Sequence, residues 1–104
     1  QLQQVIVNLL LNAERAIGEA GGEIRIVTRR ERDEAVITVA DTGRGIPASH
    51  MPQVFTPFFS ASGGTGLGLA LAAQIVKAHG GSIEAASPPG QGAVITIRLP
   101  IGHD

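Results

Sequence analysis

Residues 23–40 read EIRIVTRRERDEAVITVA and contain two runs in which apolar and polar side chains alternate. The first run covers residues 23–30 and the second covers residues 35–40, with the charged sequence ERDE between them. Alternation with a period of two predicts β-strands, and the short charged connection predicts a turn between them. Strands joined in this way are antiparallel, so the stretch favours an α+β fold over a doubly wound α/β fold, in which strands and helices alternate one by one.

Helical patterns lie on either side of this hairpin, and a second pair of strands follows. Over residues 2–17 apolar side chains recur at spacings of three and four, which predicts a helix that ends at the glycines within 18–22. A second helix is predicted over residues 67–79, and strands are predicted over residues 82–87 and 92–99 with the turn SPPGQG between them. The order α, β, β, loop, α, β, β predicts a two-layer α+β sandwich with the helices on one face of the sheet.

The composition indicates a globular domain and excludes several classes of protein. The 104 residues suit a single domain, and a hydrophobic fraction of 43% is too high for intrinsic disorder. The absence of Cys excludes a disulfide scaffold, a thiolate metal site and a Cys nucleophile. A net charge of −1 gives no electrostatic basis for binding nucleic acid or an anionic membrane. Every apolar run is shorter than the ~18 residues of a membrane span.

The segment between the second strand and the second helix is rich in glycine and contains no acidic side chain. Between Asp41 and Glu84 there is no Asp or Glu. Six of the 14 glycines lie between Asp41 and Leu69, namely Gly43, Gly45, Gly63, Gly64, Gly66 and Gly68. Glycine lets backbone N–H groups approach an anion closely, and the run GGTGLG leads into a helix N-terminus, which suits phosphate. The segment therefore predicts a phosphate site, with a glycine-rich surface loop as the alternative.

Two common nucleotide motifs do not account for this segment. Residues 43–48 read GRGIPA and match G-x-G-x-x-A, but Pro47 and Pro52 interrupt any immediate helix, and no acid follows about 20 residues later to bind a ribose. A Walker A loop fails because Leu69 and Ala70 stand where Lys and Ser or Thr are required. The predicted phosphate site is therefore of a different kind.

Polar side chains mark the first helix and the end of the second strand. Asn8, Asn12 and Arg15 follow one another at spacings of four and three on a largely apolar helix. Amide oxygens suit Mg²⁺ and a guanidinium suits phosphate; the alternative is that the Asn side chains cap the helix or bond within the core. Asp41 precedes Thr42 and Gly43, where it either closes an Asx-turn or accepts a hydrogen bond from the exocyclic amine of a base such as adenine.

Four short motifs resemble the boxes of the catalytic ATP-binding domain of bacterial sensor histidine kinases. QVIVNLLLNAERA at 4–16 resembles the N box, VADTGRGIP at 39–47 the G1 box, FTPFF at 55–59 the F box and GGTGLGLALAAQIVKAHGG at 63–81 the G2 box. GAVITIRLP at 92–100 resembles the last strand of that domain. The wider superfamily includes gyrase, MutL and the heat-shock chaperone ATPases. The resemblance covers nearly the whole chain and implies the Bergerat-type α/β sandwich, with a mixed, mostly antiparallel sheet under helices.

The resemblance also implies roles for the matched residues in binding ATP and Mg²⁺. Asn12 would bind Mg²⁺, Asn8 would lie one turn earlier in the same polar site, and Arg15 would contact phosphates, so these three are the implied catalytic residues. Asp41 would bond the adenine amino group. The other implied ATP-binding residues are Gly43, Gly45 and Ile46 of the G1 box and Gly64, Thr65, Gly66, Leu67 and Gly68 of the G2 box.

Position 8 bears on the reaction that the resemblance implies. Superfamily ATPases carry a Glu there that activates water, whereas Asn8 is an amide and accepts no proton. The expected reaction is therefore transfer of the γ-phosphate of ATP to a His on a separate helical dimerisation domain of the same kinase. A response regulator would act downstream in this two-component signalling. The alternatives are a nucleotide-binding module without phosphotransfer activity and an ATPase-type relative.

The boundaries and location of the domain follow from the same resemblance. Relatives usually carry a strand and a short helix before the N box, so we expect residues 1–104 to be the catalytic domain without those first two elements. The domain is expected to be cytoplasmic, whether or not the whole protein is anchored in a membrane. We expect no nucleic-acid partner and no direct contact of this domain with a membrane.

The lid and the histidines depart from the family pattern or lie outside it. The F-box residues Phe55, Phe58 and Phe59 would anchor the lid, but only SAS at 60–62 separates the F and G2 boxes. The lid is therefore short and lacks the Lys that faces phosphate in many relatives. The three histidines lack metal-ligand spacing, and we expect surface positions and no phosphoacceptor role for all of them. They are His50, His79 and His103.

Overall fold

The computed structural model describes residues 2–56, 68–88 and 90–101. Helix α1 spans Leu2–Ile17 and helix α2 spans Gly68–Ala78. The strands are β1 (Ile24–Glu31), β2 (Glu34–Asp41), β3 (Ser82–Ala86) and β4 (Ala93–Pro100). Two short 3₁₀ helices lie at Gly18–Ala20 and Ala48–Gln53. The element order is therefore the one that the sequence pattern predicts, with most boundaries within one residue of the prediction.

The four strands form one sheet in the order β1-β2-β4-β3, and each neighbouring pair is antiparallel. Asp41 at the end of β2 pairs with Ile24 on β1 and with Ala93 on β4. This confirms the α+β sandwich with a mostly antiparallel sheet. A mixed sheet also needs a parallel pair, and the strands among the described residues contain none.

Both helices cover the same face of the sheet. One core cluster joins Val5, Leu9 and Ala13 of α1 to Ala72, Ile75 and Val76 of α2 and to Val39, Ile95 and Ile97 of the sheet. Val39 pairs directly with Ile95, so the two strands present these side chains to the helices side by side. Burial of this apolar surface drives the two layers together. It also fixes where the polar residues of α1 lie relative to the start of α2.

The opposite face of the sheet carries a group of charged side chains at one end. Val36 is fully buried there, and its direct neighbours across the sheet are Arg29 on β1 and Arg98 on β4. Arg98 Nη1 lies 2.9 Å from Glu31 Oε1 and 3.6 Å from Glu34 Oε1. Arg29 Nε lies 2.6 Å from Glu31 Oε2. We call Arg29, Glu31, Glu34 and Arg98 the charged cluster.

One feature of the loop regions differs from the sequence prediction. The 3₁₀ helix at Ala48–Gln53 forms in a segment predicted to be an irregular loop, although Pro52 lies inside it. A proline removes one N–H donor, and a short 3₁₀ helix depends on few such hydrogen bonds, so it tolerates a proline that would break a long α-helix. No helix in the described ranges is long and apolar enough to cross a membrane.

Candidate functional site

Asn8 on α1 is a buried polar residue that joins the two helices. The residue is 9% exposed. Its Oδ1 accepts a hydrogen bond from Gln4 Nε2 at 3.0 Å, and its Nδ2 donates to the backbone oxygen of Gly68 at 3.3 Å. Gly68 is the first residue of α2, so the amide ties α1 to the start of the second helix. Asn8 therefore forms the hydrogen bonds of a structural network, which the sequence offered as the alternative to a role in binding a ligand.

Asn12 and Arg15 continue the polar side of α1 toward its C-terminus. Asn12 lies one turn after Asn8 and is half-buried, whereas Arg15 is exposed near the end of the helix. The three side chains thus range from buried to exposed along one helix. We call Asn8, Asn12 and Arg15 the polar stripe of α1. It begins beside the first residue of α2, because the contact of Asn8 with Gly68 fixes that end.

The predicted G2-box residues are only partly within the described chain. Gly68 contacts Asn8 and opens α2. Gly64, Thr65, Gly66 and Leu67 lie outside the described residues, as do Phe58 and Phe59 of the F box. Phe55 is half-buried just after the 3₁₀ helix. The structure therefore brings the start of α2 to α1 and leaves the phosphate loop itself a prediction.

Asp41 is the other buried polar residue among those described, and it is 6% exposed. It ends β2, and its Oδ1 accepts a hydrogen bond from the backbone N–H of Gly43 at 2.8 Å. This is the Asx-turn that the sequence suggested as one of two roles. The turn uses one carboxylate oxygen, so it fixes the orientation of the carboxylate and is compatible with a ligand at the other oxygen.

The backbone after Asp41 lies directly against the C-terminal end of α1. Arg44 donates its backbone N–H to Ala16 O at 3.1 Å and its Nη2 to Arg15 O at 3.1 Å. These carbonyls lack partners within the helix, and a cation there opposes the negative end of the helix dipole. A Cβ on Gly43 would lie 2.5 Å from Ala16 C and O. Gly43 therefore has a packing reason to be glycine that is independent of any ligand.

The same loop is attached on its other side to the turn between β3 and β4. Ser87 Oγ accepts a hydrogen bond from Ile46 N–H at 2.7 Å and donates to Gly92 O at 2.6 Å. A Cβ on Gly45 would lie 2.8 Å from Ser87 Oγ. Gly92 packs so closely on Asp41 that a Cβ there would overlap the Asp41 carbonyl oxygen. We call residues 41–46 the Asp41 loop.

Sequence reasoning missed three residues that shape this region. Arg44 lies in the G1 box without an assigned role, and Ser87 and Gly92 lie in the predicted turn SPPGQG. Their hydrogen-bond partners lie up to 41 residues away along the chain, as in the pair of Ile46 and Ser87. Only the strand order places β4 beside β2, and with it the turn beside the loop.

The sequence is similar to one known family over nearly its whole length. The profile of the histidine kinase-, DNA gyrase B- and HSP90-like ATPases matches residues 1–103. The chain belongs to this family. It is 48% identical over 103 residues to the sensor histidine kinase ZraS of Klebsiella oxytoca, a match that covers 97% of this chain and 22% of that protein. The chain thus spans about a fifth of the length of the curated relatives it matches.

Solved structures of histidine kinases share the fold of this ATPase family member. The catalytic domain of histidine kinase ThkA superposes with a TM-score of 0.83 at 34% identity, covering 95% of this chain and 65% of that one. ThkA in complex with the response regulator protein TrrA gives 0.81 at 30% identity, covering 98% and 29%. Full-length ShkA in complex with AMPPNP gives 0.87 at 27% identity, covering 99% and 22%. The predicted resemblance to a histidine kinase catalytic domain is confirmed.

The charges of this family member are distributed unevenly along the sheet. The Arg98 hydrogen bond and then the Arg29 hydrogen bond lower the pKa of Glu31 below its ordinary value of 4.5. Glu31 lies beside the β1–β2 turn, whereas Asp41 ends β2 at the other end of the sheet. No group of three or more His, Cys, Asp or Glu that could hold a metal occurs in the described part of the chain.

All three histidines of the chain lie outside the Asp41 loop. His79 is exposed, and its Nδ1 lies 2.8 Å from Ile75 O at the end of α2. His50 is in the 3₁₀ helix and is half-buried, in contrast to the surface position predicted for it. His103 lies outside the described residues.

Proposed function

We propose that this chain binds ATP with Mg²⁺ and donates the γ-phosphoryl group to a histidine on another domain of a longer histidine kinase. The observation that carries the proposal is the contact between Asn8 Nδ2 and Gly68 O at 3.3 Å. It joins the polar stripe of α1 to the N-terminus of an 11-residue helix, the two parts that would surround a triphosphate. The family membership supports the same function.

Asp41 recognises the adenine base in this proposal. Its carboxylate is buried and is oriented by the Gly43 N–H, which leaves an oxygen to accept a hydrogen bond from the exocyclic amino group. A fixed acceptor selects adenine over guanine, because guanine presents a carbonyl at the equivalent position. The Asp41 loop forms the wall of the base pocket through Gly43, Gly45 and Ile46.

In this proposal the phosphates and Mg²⁺ would be held by residues of α1 and of the start of α2. Mg²⁺ prefers oxygen ligands, keeps several waters and takes further ligands from substrate phosphates. The half-buried Asn12 offers one neutral amide oxygen, and the Asn8 amide is already bonded to Gln4 and Gly68. This donor set suits an ion that arrives with the nucleotide. When bound, Mg²⁺ neutralises phosphate charge and holds the phosphates in one geometry.

The reaction is a displacement at the γ-phosphorus. The bond between this phosphorus and the β–γ bridging oxygen breaks, its electron pair stays on ADP, and a bond to an imidazole nitrogen of the acceptor histidine forms. The chain contributes position and charge. Arg15 contacts the phosphates in this proposal. The phosphates are also held by the G2-box residues Gly64, Thr65, Gly66, Leu67 and Gly68. Asn8 accepts no proton, so water is not activated and hydrolysis without an acceptor is slow.

The acceptor lies outside this chain in our proposal, on a helical dimerisation domain of the same kinase. ThkA has been solved with the response regulator TrrA, which supports a downstream response regulator for this chain as well. The use of ATP as donor implies a cytoplasmic position. We also propose that residues 1–104 belong to the catalytic domain of that kinase.

The experiment that tests this function mixes the chain with ATP, Mg²⁺ and the helical domain of the same kinase. We expect acid-labile phosphate on the helical domain and none on a variant in which its acceptor histidine is replaced. Isothermal titration of the chain with ADP and Mg²⁺ runs beside it. Nucleotide binding without phosphate transfer would identify a binding module, and absence of both would refute the proposal.

A further inference from the structure

Ser87 lies at the junction of the Asp41 loop and the turn between β3 and β4. It follows β3 directly and is half-buried. None of the nucleotide-binding roles proposed above involves it. Its hydroxyl nevertheless uses both of its hydrogen-bonding functions, as an acceptor from Ile46 N–H at 2.7 Å and as a donor to Gly92 O at 2.6 Å.

These two hydrogen bonds join the backbone of the Asp41 loop to the backbone of the turn that precedes β4. Ile46 belongs to the loop that would line the base pocket, and Gly92 immediately precedes β4. A hydroxyl that both accepts and donates at short distance fixes the separation of its two partners. A Cβ on Gly45 would lie only 2.8 Å from Ser87 Oγ. The hydroxyl therefore also fills the space beside the loop backbone.

The Gly92 contact carries the effect of Ser87 to the Asp41 carboxylate. A Cβ position on Gly92 lies 3.1 Å from Asp41 Oδ1 and overlaps the Asp41 carbonyl oxygen. Gly92 therefore forms the surface against which the carboxylate rests. A shift of the turn would move this surface, and a shift of Ile46 would move the pocket wall.

We propose that Ser87 is a positioning residue that holds the Asp41 carboxylate and the Ile46 backbone in the geometry that binds the adenine end of the nucleotide. The inference rests on the proposed function, because it assigns Ser87 to the base pocket of that same site. Ser87 lies at the Asp41 loop, and the polar stripe of α1 meets α2 at Gly68. Its effect therefore falls on the base and leaves the Mg²⁺-dependent part of binding unchanged.

The test compares Ser87→Ala with wild type in titrations of adenosine, ADP and ADP with Mg²⁺. We expect roughly tenfold weaker binding of all three, since the Ile46 N–H loses its partner inside the site. We also expect the ratio of ADP affinities with and without Mg²⁺ to stay at the wild-type value. In hydrogen exchange, the Ile46 amide should exchange faster in Ser87→Ala, and Ser87→Thr should restore both the exchange rate and the affinity.

The matched control is Ser82→Ala, which removes an exposed hydroxyl from the other end of β3 and should change neither affinity nor exchange. Wild-type affinity in Ser87→Ala would overturn the inference. So would a change in the Mg²⁺ ratio, or a Ser87→Thr variant that stays folded without recovering binding. If Asp41→Asn weakens binding while Ser87→Ala does not, the proposed function stands and only this inference fails. If wild type binds no adenine nucleotide, both fail.

Discussion

The two ends of the sheet hold polar residues in different ways. At one end the charged cluster joins exposed side chains to one another, as in the pairs of Glu31 with Arg29 and Arg98. At the other end the Asp41 loop is held by bonds to backbone groups, through Gly43 N–H, Arg15 O and Ile46 N–H. Asp41 is 6% exposed, whereas the Glu31 side chain is 42% exposed.

This contrast teaches where the chain tolerates change. Exposed ion pairs gain little in water and adapt to substitution, because each long side chain can find another arrangement. Buried bonds to backbone groups leave a donor or acceptor unsatisfied when one partner is removed. We therefore expect large effects of substitution near Asp41 and small effects in the charged cluster.

The largest effect should come from Gly92→Ala, measured by urea unfolding. The added Cβ would overlap the Asp41 carbonyl oxygen, and the residue has a φ of +75°, which is unfavourable for alanine. A buried backbone clash of this kind should cost about 3 kcal/mol or more of unfolding free energy.

Gly90→Ala is the matched control for this prediction. Gly90 lies in the same turn with the same φ of +75°, but nothing lies within 4 Å of its Cβ position. Only the backbone conformation penalises the alanine, at about 1–2 kcal/mol. Equal destabilisation by both substitutions would show that the close packing on Asp41 contributes nothing.

Asp41→Asn should weaken ADP binding by more than tenfold and alter the fold little. The variant keeps an Oδ1 for the Gly43 N–H, and replaces the other oxygen with an NH₂ that repels the adenine amino group. Isothermal titration measures the affinity, and thermal unfolding checks the fold. Asp33→Asn, in the exposed β1–β2 turn, is the control that should bind like wild type. Unchanged affinity in Asp41→Asn would remove Asp41 from the site.

Asn12→Ala should abolish the Mg²⁺ dependence of ADP affinity. The substitution removes the amide oxygen that we assign to the ion, while the base contact at Asp41 is untouched. Titrations with and without Mg²⁺ give the ratio directly, and Gln3→Ala removes an exposed amide from the same helix as a control. If the ratio in Asn12→Ala matches wild type, another group binds the ion.

The smallest effect should come from Glu31→Gln in the charged cluster. Arg98 and Arg29 lower the pKa of Glu31 in the folded state from its ordinary value of 4.5. The ionised carboxylate therefore stabilises the fold fully above pH 4.5, and this contribution is lost as the pH falls through the lowered folded pKa. Urea unfolding across this range should show the advantage of wild type over Glu31→Gln shrinking with acid. Added salt should shrink it as well at neutral pH. An advantage that grows with acid would contradict this account.

The sequence predicted the elements well because each has a local cause. Apolar spacing set α1, alternation set β1 and β2, and the agreement with the observed boundaries is close. The 3₁₀ helix at Ala48–Gln53 was missed because short turns have no periodicity to read. His50 lies in that element, and for the same reason its half-buried position could not be read from the pattern.

Some contacts of the candidate site join residues that are close in sequence, and others join residues that are far apart. The Asx-turn of Asp41 spans two residues, so the sequence could suggest it. The contacts of Asn8 with Gly68 and of Ser87 with Ile46 span 60 and 41 residues, and no local pattern announces them.

The sequence by itself determined the α+β order of elements, the family and the residue types offered for a nucleotide. Only the tertiary structure decided that Gly43 and Gly92 are glycine because α1 and Asp41 lie against them, and that Arg44 and Ser87 hold the loop from its two sides. The physical reason is range. Periodicity and turn chemistry act between near neighbours, whereas close packing and hydrogen bonds to distant backbone groups exist only once the sheet order β1-β2-β4-β3 has formed.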